Sequence, residues 1–177
     1  MIYYSFPVAY QNNPKSTIRG DTVEEDKKKL RTISGKRLEK LVGHRGHSLR
    51  IDKVIFDSSR PNNLVGYKTI DPYDFDLVGH FPKKSVYLGN LTVECAEITA
   101  AALIKLNSPE IEGESFIVGT DKVRFKRPAL PGDTLTFTVT FLKQKRGMFF
   151  FDATVTNQRG EIVTTIVNII GAHVIPE

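Results

Sequence analysis

Apolar positions recur every three or four residues from Leu91 to Ile104 and every second residue in the flanking segments, which predicts one buried helix set among several strands. Leu91, Cys95, Ile98 and Ala102 form one stripe, and Val93, Ala96, Ala100 and Ile104 form a second. A helix that is apolar on more than one side belongs inside a protein. Asn107-Ser108-Pro109 ends the pattern. Ahead of it, Leu38 to Val42 followed by Gly43 reads as a short helix, and Ser48 to Phe56 alternates as a strand. Arg60-Pro61-Asn62-Asn63 then makes a turn, Leu64 to Ile70 returns as the second strand of an antiparallel hairpin, and Asp71 to Val78 is a polar loop. Beyond the helix, Phe116 to Phe125 is strand-like and Pro131-Gly132 marks a turn. Thr134 to Leu142 alternates strictly, with Leu135, Phe137, Val139 and Phe141 on one face and four threonines on the other, so one face meets a core and one meets water. Lys143 to Gly147 predicts the next turn, Met148 to Thr156 a strand, Asn157 to Gly160 another turn, and Glu161 to Val174 a last long strand. The expected class is α+β, an antiparallel sheet wrapped around a long central helix.

Composition changes this picture mainly at the N-terminus. Residues 1–35 begin with an aromatic, Pro-containing piece and pass into the charge block Asp21 to Arg31, where Asp21 or Thr22 could cap a short helix that no apolar face supports. They predict an extension ahead of a domain over 36–177, either a mobile arm or one docked through Tyr3, Tyr4, Phe6 and Tyr10. At 177 residues and 40% hydrophobic the chain suits one domain with a real core. The +5 net charge points to an acidic partner. Nucleic acid is not that partner, because the basic residues are spread over several turns without an aromatic-interleaved cluster. No apolar run approaches the ~20 residues of a membrane span, and no basic n-region leads into an apolar one, so a soluble cytoplasmic protein is expected. Cys95 has no second cysteine to pair with and reads as a small core residue. His44 and His47 have no cysteine or acid cluster beside them in sequence, so they read as solvated or hydrogen-bonded, and no metal is expected.

Candidate chemistry gathers between Gly79 and Leu106, where a Pro- and Gly-punctuated loop holds His80 and the apolar helix holds Glu94. A carboxylate in such a helix is costly to bury ionised; it either finds a partner or carries a raised pKa, the usual setting of a catalytic acid. Gly79-His80-Phe81-Pro82, then Gly89 and Glu94, resembles the active-site segment of the 3-hydroxyacyl-[acyl-carrier-protein] dehydratases of the hot-dog fold, with the acid fourteen positions after the histidine. Asp121 to Gly132 (DKVRFKRPALPG) resembles that family's strand and turn after the central helix, and Leu41 to Val54 (LVGHRGHSLRIDKV) the approach to its first strand. The resemblance covers Lys36 to the C-terminus. It implies a hydro-lyase that turns 3-hydroxyacyl thioesters into trans-2-enoyl thioesters in fatty acid, related lipid or polyketide biosynthesis. No organic cofactor is implied beyond the phosphopantetheine of the carrier.

Dehydration needs a base for the C2 proton, an acid for the C3 hydroxyl and a dipole on the thioester carbonyl. A neutral His80 suits the first, Glu94 the second if apolar surroundings keep it partly protonated, and the backbone N–H groups around Gly89 and Asn90 the third. Phe81, Pro82, Tyr87 and Leu88 would form the substrate-tunnel loop. In the family the histidine and the acid meet across a dimer interface, so a homodimer, or a trimer of such dimers forming a hexamer, is implied. Acyl carrier protein is acidic, and Lys122, Arg124, Lys126 and Arg127, with Lys143, Lys145 and Arg146, are candidates for a basic rim that steers it.

Departures from the family pattern carry information of their own. Lys83, Lys84, Ser85 and Leu88 stand where Gly, a basic residue, Pro and a second Pro are usual, Asn90 replaces a small or apolar residue, and Ile98 replaces a common glutamine. The loop is therefore expected to be held differently, and acyl-chain preference does not carry over. Glu rather than Asp at position 94 favours a plain dehydratase over the related enzyme that also isomerises the double bond. Two further readings are a hot-dog thioesterase, against which the intact His80 to Glu94 spacing argues, and a non-catalytic acyl-binding or scaffold subunit.

Overall fold

The computed structural model describes residues 30–109 and 113–174. The aromatic segment Tyr3 to Tyr10 and most of the charge block lie outside the described residues. In chain order the elements are β1 (Leu30–Ser34), α1 (Gly35–Val42), β2 (Lys53–Asp57), β3 (Asn63–Thr69), α2 (Gly89–Asn107), β4 (Glu114–Phe125), β5 (Thr134–Lys145), β6 (Met148–Thr156) and β7 (Ile162–Val174). The strands form one sheet in the order β1-β2-β3-β5-β6-β7-β4, antiparallel at every pairing.

Helix α2 is the element the sheet curves around. Eleven of its 19 residues are buried, so both apolar stripes are used, with β3 and β5 as its main neighbours in the sheet. Its buried threonines bond within the helix, Thr99 Oγ1 donating to Cys95 O at 2.8 Å and Thr92 Oγ1 to Leu88 O at 3.4 Å, so no polar group is stranded by the burial. Facing it, Phe137, Phe151, Leu64, Leu135 and Ile166 are almost fully buried. The helix approaches β3 so closely at Gly66 that a Cβ there would stand 2.3 Å from Thr99 Oγ1. No described helix is long and apolar enough to cross a membrane.

Most predicted elements appear where periodicity places them, β6 with the same bounds. Two do not. The strand expected from Ser48 starts only at Lys53; the chain makes a short 3₁₀ turn at Gly46–Ser48 and then runs against α2, where the Cys95 thiol donates to Arg50 O at 3.3 Å. Alternating burial is present there, with Ile51 buried and Asp52 exposed; Asp52 N–H donates to Tyr67 O at 2.8 Å, but the strand pairing itself begins at Lys53. The turn expected at Lys143 to Gly147 is shorter, because β5 continues to Lys145 and only Arg146-Gly147 turns, both at positive φ. A two-residue turn with that backbone matches the twist of a hairpin, and the lysines are simply the exposed end of a strand. At the N-terminal side, Leu30–Ser34 pairs with β2 as an edge strand.

Candidate active site

His80 sits in a loop that the main chain closes upon itself. Val86 N–H donates to His80 O at 2.7 Å, while the His80 ring nitrogen Nδ1 lies 2.8 Å from Val86 O. A carbonyl can only accept, so Nδ1 carries the proton and Nε2 keeps the lone pair. Inside this bracket Phe81 and Lys84 exchange N–H···O bonds of 3.1 and 3.2 Å, and the Phe81 ring stacks on the imidazole with centroids 4.2 Å apart. The His80–Phe81 peptide is cis. The bonds of His80 with Val86 and of Phe81 with Lys84 thus close the loop across Lys83 to Ser85.

His80 lines a pocket of about 480 Å³ together with Tyr87, Gly89, Asn90, Phe125, Lys126 and Arg127. Helix α2 starts at its wall, and the first amides of a helix have no partner within it, so Gly89 and Asn90 present N–H groups beside the imidazole. A Cβ at Gly89 would stand 2.8 Å from the Phe125 ring, so a larger residue there would push that exposed ring aside. Of the other loop residues, Phe81 and Pro82 are exposed outside the pocket and Leu88 packs against the core. Tyr87 is buried beneath, its backbone N–H bonded to Ala129 O at 2.9 Å. Its hydroxyl faces the Cys95 thiol without completing a hydrogen bond, and burial pushes the phenol far above its ordinary value. Burial likewise pushes the Cys95 thiol up to about 12, which fits the inert core residue expected there.

The acid side is built otherwise. Glu94 does not line the pocket of His80, and its side chain is 38% exposed, which corrects the expectation of apolar burial. Instead it has a partner: Arg50 Nε lies 3.7 Å from Glu94 Oε2. The Arg50 side chain is largely buried, bonds through Nη1 to Asp76 Oδ2, and approaches His47 Nε2 at 3.3 Å. Asp76 belongs to the 3₁₀ turn Phe75–Leu77, just ahead of the histidine loop. One turn along α2 from Glu94, Glu97 is half-buried; burial raises its carboxyl above the usual range, the Glu94 charge adds to this, and the Thr120 hydroxyl at 3.5 Å works against it.

Arg50 and Glu97 had escaped the sequence reading. Arg50 lies between the alternating Leu49 and Ile51, and Glu97 lies off both apolar stripes of the helix. The one available signal was charge at a position three residues from Glu94 and beside apolar neighbours. His44 is hydrogen-bonded as expected, Nδ1 lying 2.9 Å from Val42 O. His47, Asp74 and Asp76 do come close enough to form a three-ligand cluster, but protein cations already serve its acids, Arg50 at Asp76 and Lys68 at 4.0 Å from Asp74. The expected basic rim divides. Lys126 and Arg127 line the pocket and Lys122 and Arg124 lie on β4 leading to it, whereas the register puts Lys143, Lys145 and Arg146 at the opposite end of the strands, by Met148, Ala172 and Phe116.

Known proteins place this arrangement in a family. The model of the FabA-like domain matches residues 45–166. The 3-hydroxyacyl-[acyl-carrier-protein] dehydratase FabZ of Psychromonas ingrahamii is 34% identical over 125 residues, covering 70% of this chain and 83% of that protein. FabZ of Clostridium perfringens is 38% identical over 120 residues, covering 67% and 84%, and FabZ of Coxiella burnetii is 37% identical over 135 residues, covering 72% and 94%. Among solved structures, the dehydratase heterocomplex ApeI:P of Xenorhabdus doucetiae matches with a TM-score of 0.65 at 15% identity over 79% of this chain and 91% of that one. The PaaI protein of the E. coli phenylacetic acid degradation operon matches with a TM-score of 0.55 at 20% identity over 72% and 81%. At those identities the two structures speak for the hot-dog fold.

Proposed function

The chain belongs to the FabA-like domain family, among the 3-hydroxyacyl-[acyl-carrier-protein] dehydratases of the FabZ kind, and from that premise we propose how its residues divide the removal of water from a 3-hydroxyacyl thioester. His80 Nε2 takes the C2 proton, and the electron pair left behind is held as enolate-like charge on the thioester oxygen by the Gly89 and Asn90 amides. Glu94 gives a proton to the C3 hydroxyl, the C3–O bond breaks, water leaves, and the C2=C3 double bond of the trans-2-enoyl product forms. One proton is gained by His80 and one is lost by Glu94, so a net transfer between them through solvent resets the site. The observation that carries this reading is the His80 Nδ1 to Val86 O bond, which leaves the basic nitrogen to a pocket that also holds the helix N-terminus. The same pairing weighs against a scaffold role, for which nothing need fix a tautomer. The reaction calls on no metal and no organic cofactor beyond the carrier's phosphopantetheine.

Two chains are needed to complete the site, because the Glu94 of one chain stands apart from the pocket of its own His80. Strand β4 supports a two-fold partner. It is a 12-residue edge strand with Phe116, Ile117 and Val118 exposed in sequence, and such an edge pairs readily with a copy of itself. The acyl carrier protein would approach the Lys126 and Arg127 side of the pocket, with Lys122 and Arg124 extending the basic surface. Arg127 is partly spoken for, its Nε lying 3.5 Å from Glu161.

The test is dehydration of short and long 3-hydroxyacyl carrier-protein substrates by wild type, His80→Ala and Glu94→Gln, read as enoyl product by mass spectrometry, with particle mass by light scattering. Each substitution is expected to lower turnover by about 10²–10⁴-fold in a folded dimer or hexamer. A folded wild type that turns over no chain length would overturn the proposal.

A further inference from the structure

Arg50 is the buried charge that the reaction, drawn with His80 and Glu94 alone, leaves unused. Its side chain is only 16% exposed, so it needs counter-charge, and Asp76 supplies one through Nη1. The opposite side is incomplete: Nε is buried without a hydrogen bond, and Glu94 Oε2 waits 3.7 Å away, just beyond bonding distance. A purely structural arginine would have its donors saturated. Here the unsaturated donor is the one that faces the acid of the reaction.

We propose that Arg50, anchored by Asp76, is the positioning residue that stabilises the carboxylate Glu94 becomes as the C3 hydroxyl leaves as water. The inference rests on the dehydratase reading above. A guanidinium interacts weakly with a carboxyl that carries its proton and strongly with a carboxylate. Once the proton has moved to the departing oxygen, full negative charge appears on the carboxylate, and a sub-ångström approach turns the 3.7 Å contact into a charge-assisted bond. An interaction stronger after the transfer than before it lowers the barrier to that transfer instead of tightening substrate binding. The anchor matters as much as the charge, because Asp76 prevents the long side chain from turning into solvent. Its test is therefore a split between turnover and affinity.

The experiment compares wild type, Arg50→Leu, Arg50→Lys, Glu94→Gln and the Arg50→Leu/Glu94→Gln double variant, assayed by hydration of a crotonyl carrier-protein thioester and its reverse, with urea unfolding of each. Arg50→Leu is expected to lower kcat about 30-fold with KM changed less than about twofold, and Arg50→Lys to recover part of the loss. In the Glu94→Gln background, Arg50→Leu should cost less than about twofold more, because its target is already gone. Losses that multiply across the two sites, or an Arg50→Leu enzyme of full turnover, would overturn the proposal. If wild type itself is inactive, the dehydratase reading fails, and the same cycle in urea separates the two ideas: non-additive midpoints retain the Arg50–Glu94 clamp, and additive ones remove it as well.

Discussion

The two proposed catalytic groups are fourteen residues apart in sequence and are held by opposite means. His80 is positioned by main chain: its own carbonyl and ring nitrogen are bracketed by the amide and carbonyl of Val86, six residues on. Glu94 is positioned by side chains from two distant segments, Arg50 before β2 and Asp76 before the loop. Main-chain bonds are indifferent to side-chain identity, which is why the loop tolerates Lys83, Lys84 and Ser85. A charge relay depends on each member. The base side should therefore be sensitive to backbone chemistry and the acid side to charge.

That contrast can be broken at several points. The largest effect is expected from Val86→Pro, which removes the N–H donated to His80 O and should lower turnover about 10–100-fold in a folded protein; Val86→Thr, which keeps the amide, should stay near wild type. Asp76→Asn comes next. It keeps the shape of the Arg50 anchor but removes its charge, and kcat should fall about tenfold with KM nearly unchanged. Tyr87→Phe addresses the layer beneath the loop, where a buried hydroxyl has no hydrogen bond; deleting it should raise stability by about 1 kcal/mol, a melting shift of roughly 2–4 °C. The smallest effect is expected at Glu97. Its folded carboxyl titrates above the unfolded one, so the folded state binds the proton more tightly, and this contribution, present in acid, is lost as pH rises through the raised value. Glu97→Gln should therefore melt with wild type near pH 4 and roughly 1–2 °C above it at pH 8, the small size reflecting a half-exposed group. Coincident melts at both pH values would show that the Glu97 environment is no different from water.

The same contrast explains what was legible in the chain. Helix α2, β5 and β6 could be read because their apolar periods, 3.6 and 2, run for many residues, while His80 and Glu94 stand out as candidates because a contiguous motif carries them. The start of β2 was misplaced because alternating burial beside a helix imitates a strand. Arg50 carries no motif of its own: it lies between the alternating Leu49 and Ile51, and only the fold brings Asp76 and Glu94 to it. Sequence spacing also suggested one basic rim, whereas the hairpin at Arg146-Gly147 carries three of those residues to the far end of the sheet.

Among the described residues the sheet ends in β1 and β4, and the way such ends join decides how far a sheet can grow. At one end is β1, described from Leu30 to Ser34; at the other is β4, twelve residues long, whose outer row pairs with no described strand. A β4 edge that joins a second β4 consumes both long edges in a single step, and the particle is closed. Joining β4 to the opposite end of the next chain would instead leave a fresh β4 exposed after each addition, the arithmetic of a fibre. In the proposed two-fold pairing, the apolar row that would otherwise be a polymerisation hazard would act as a terminator.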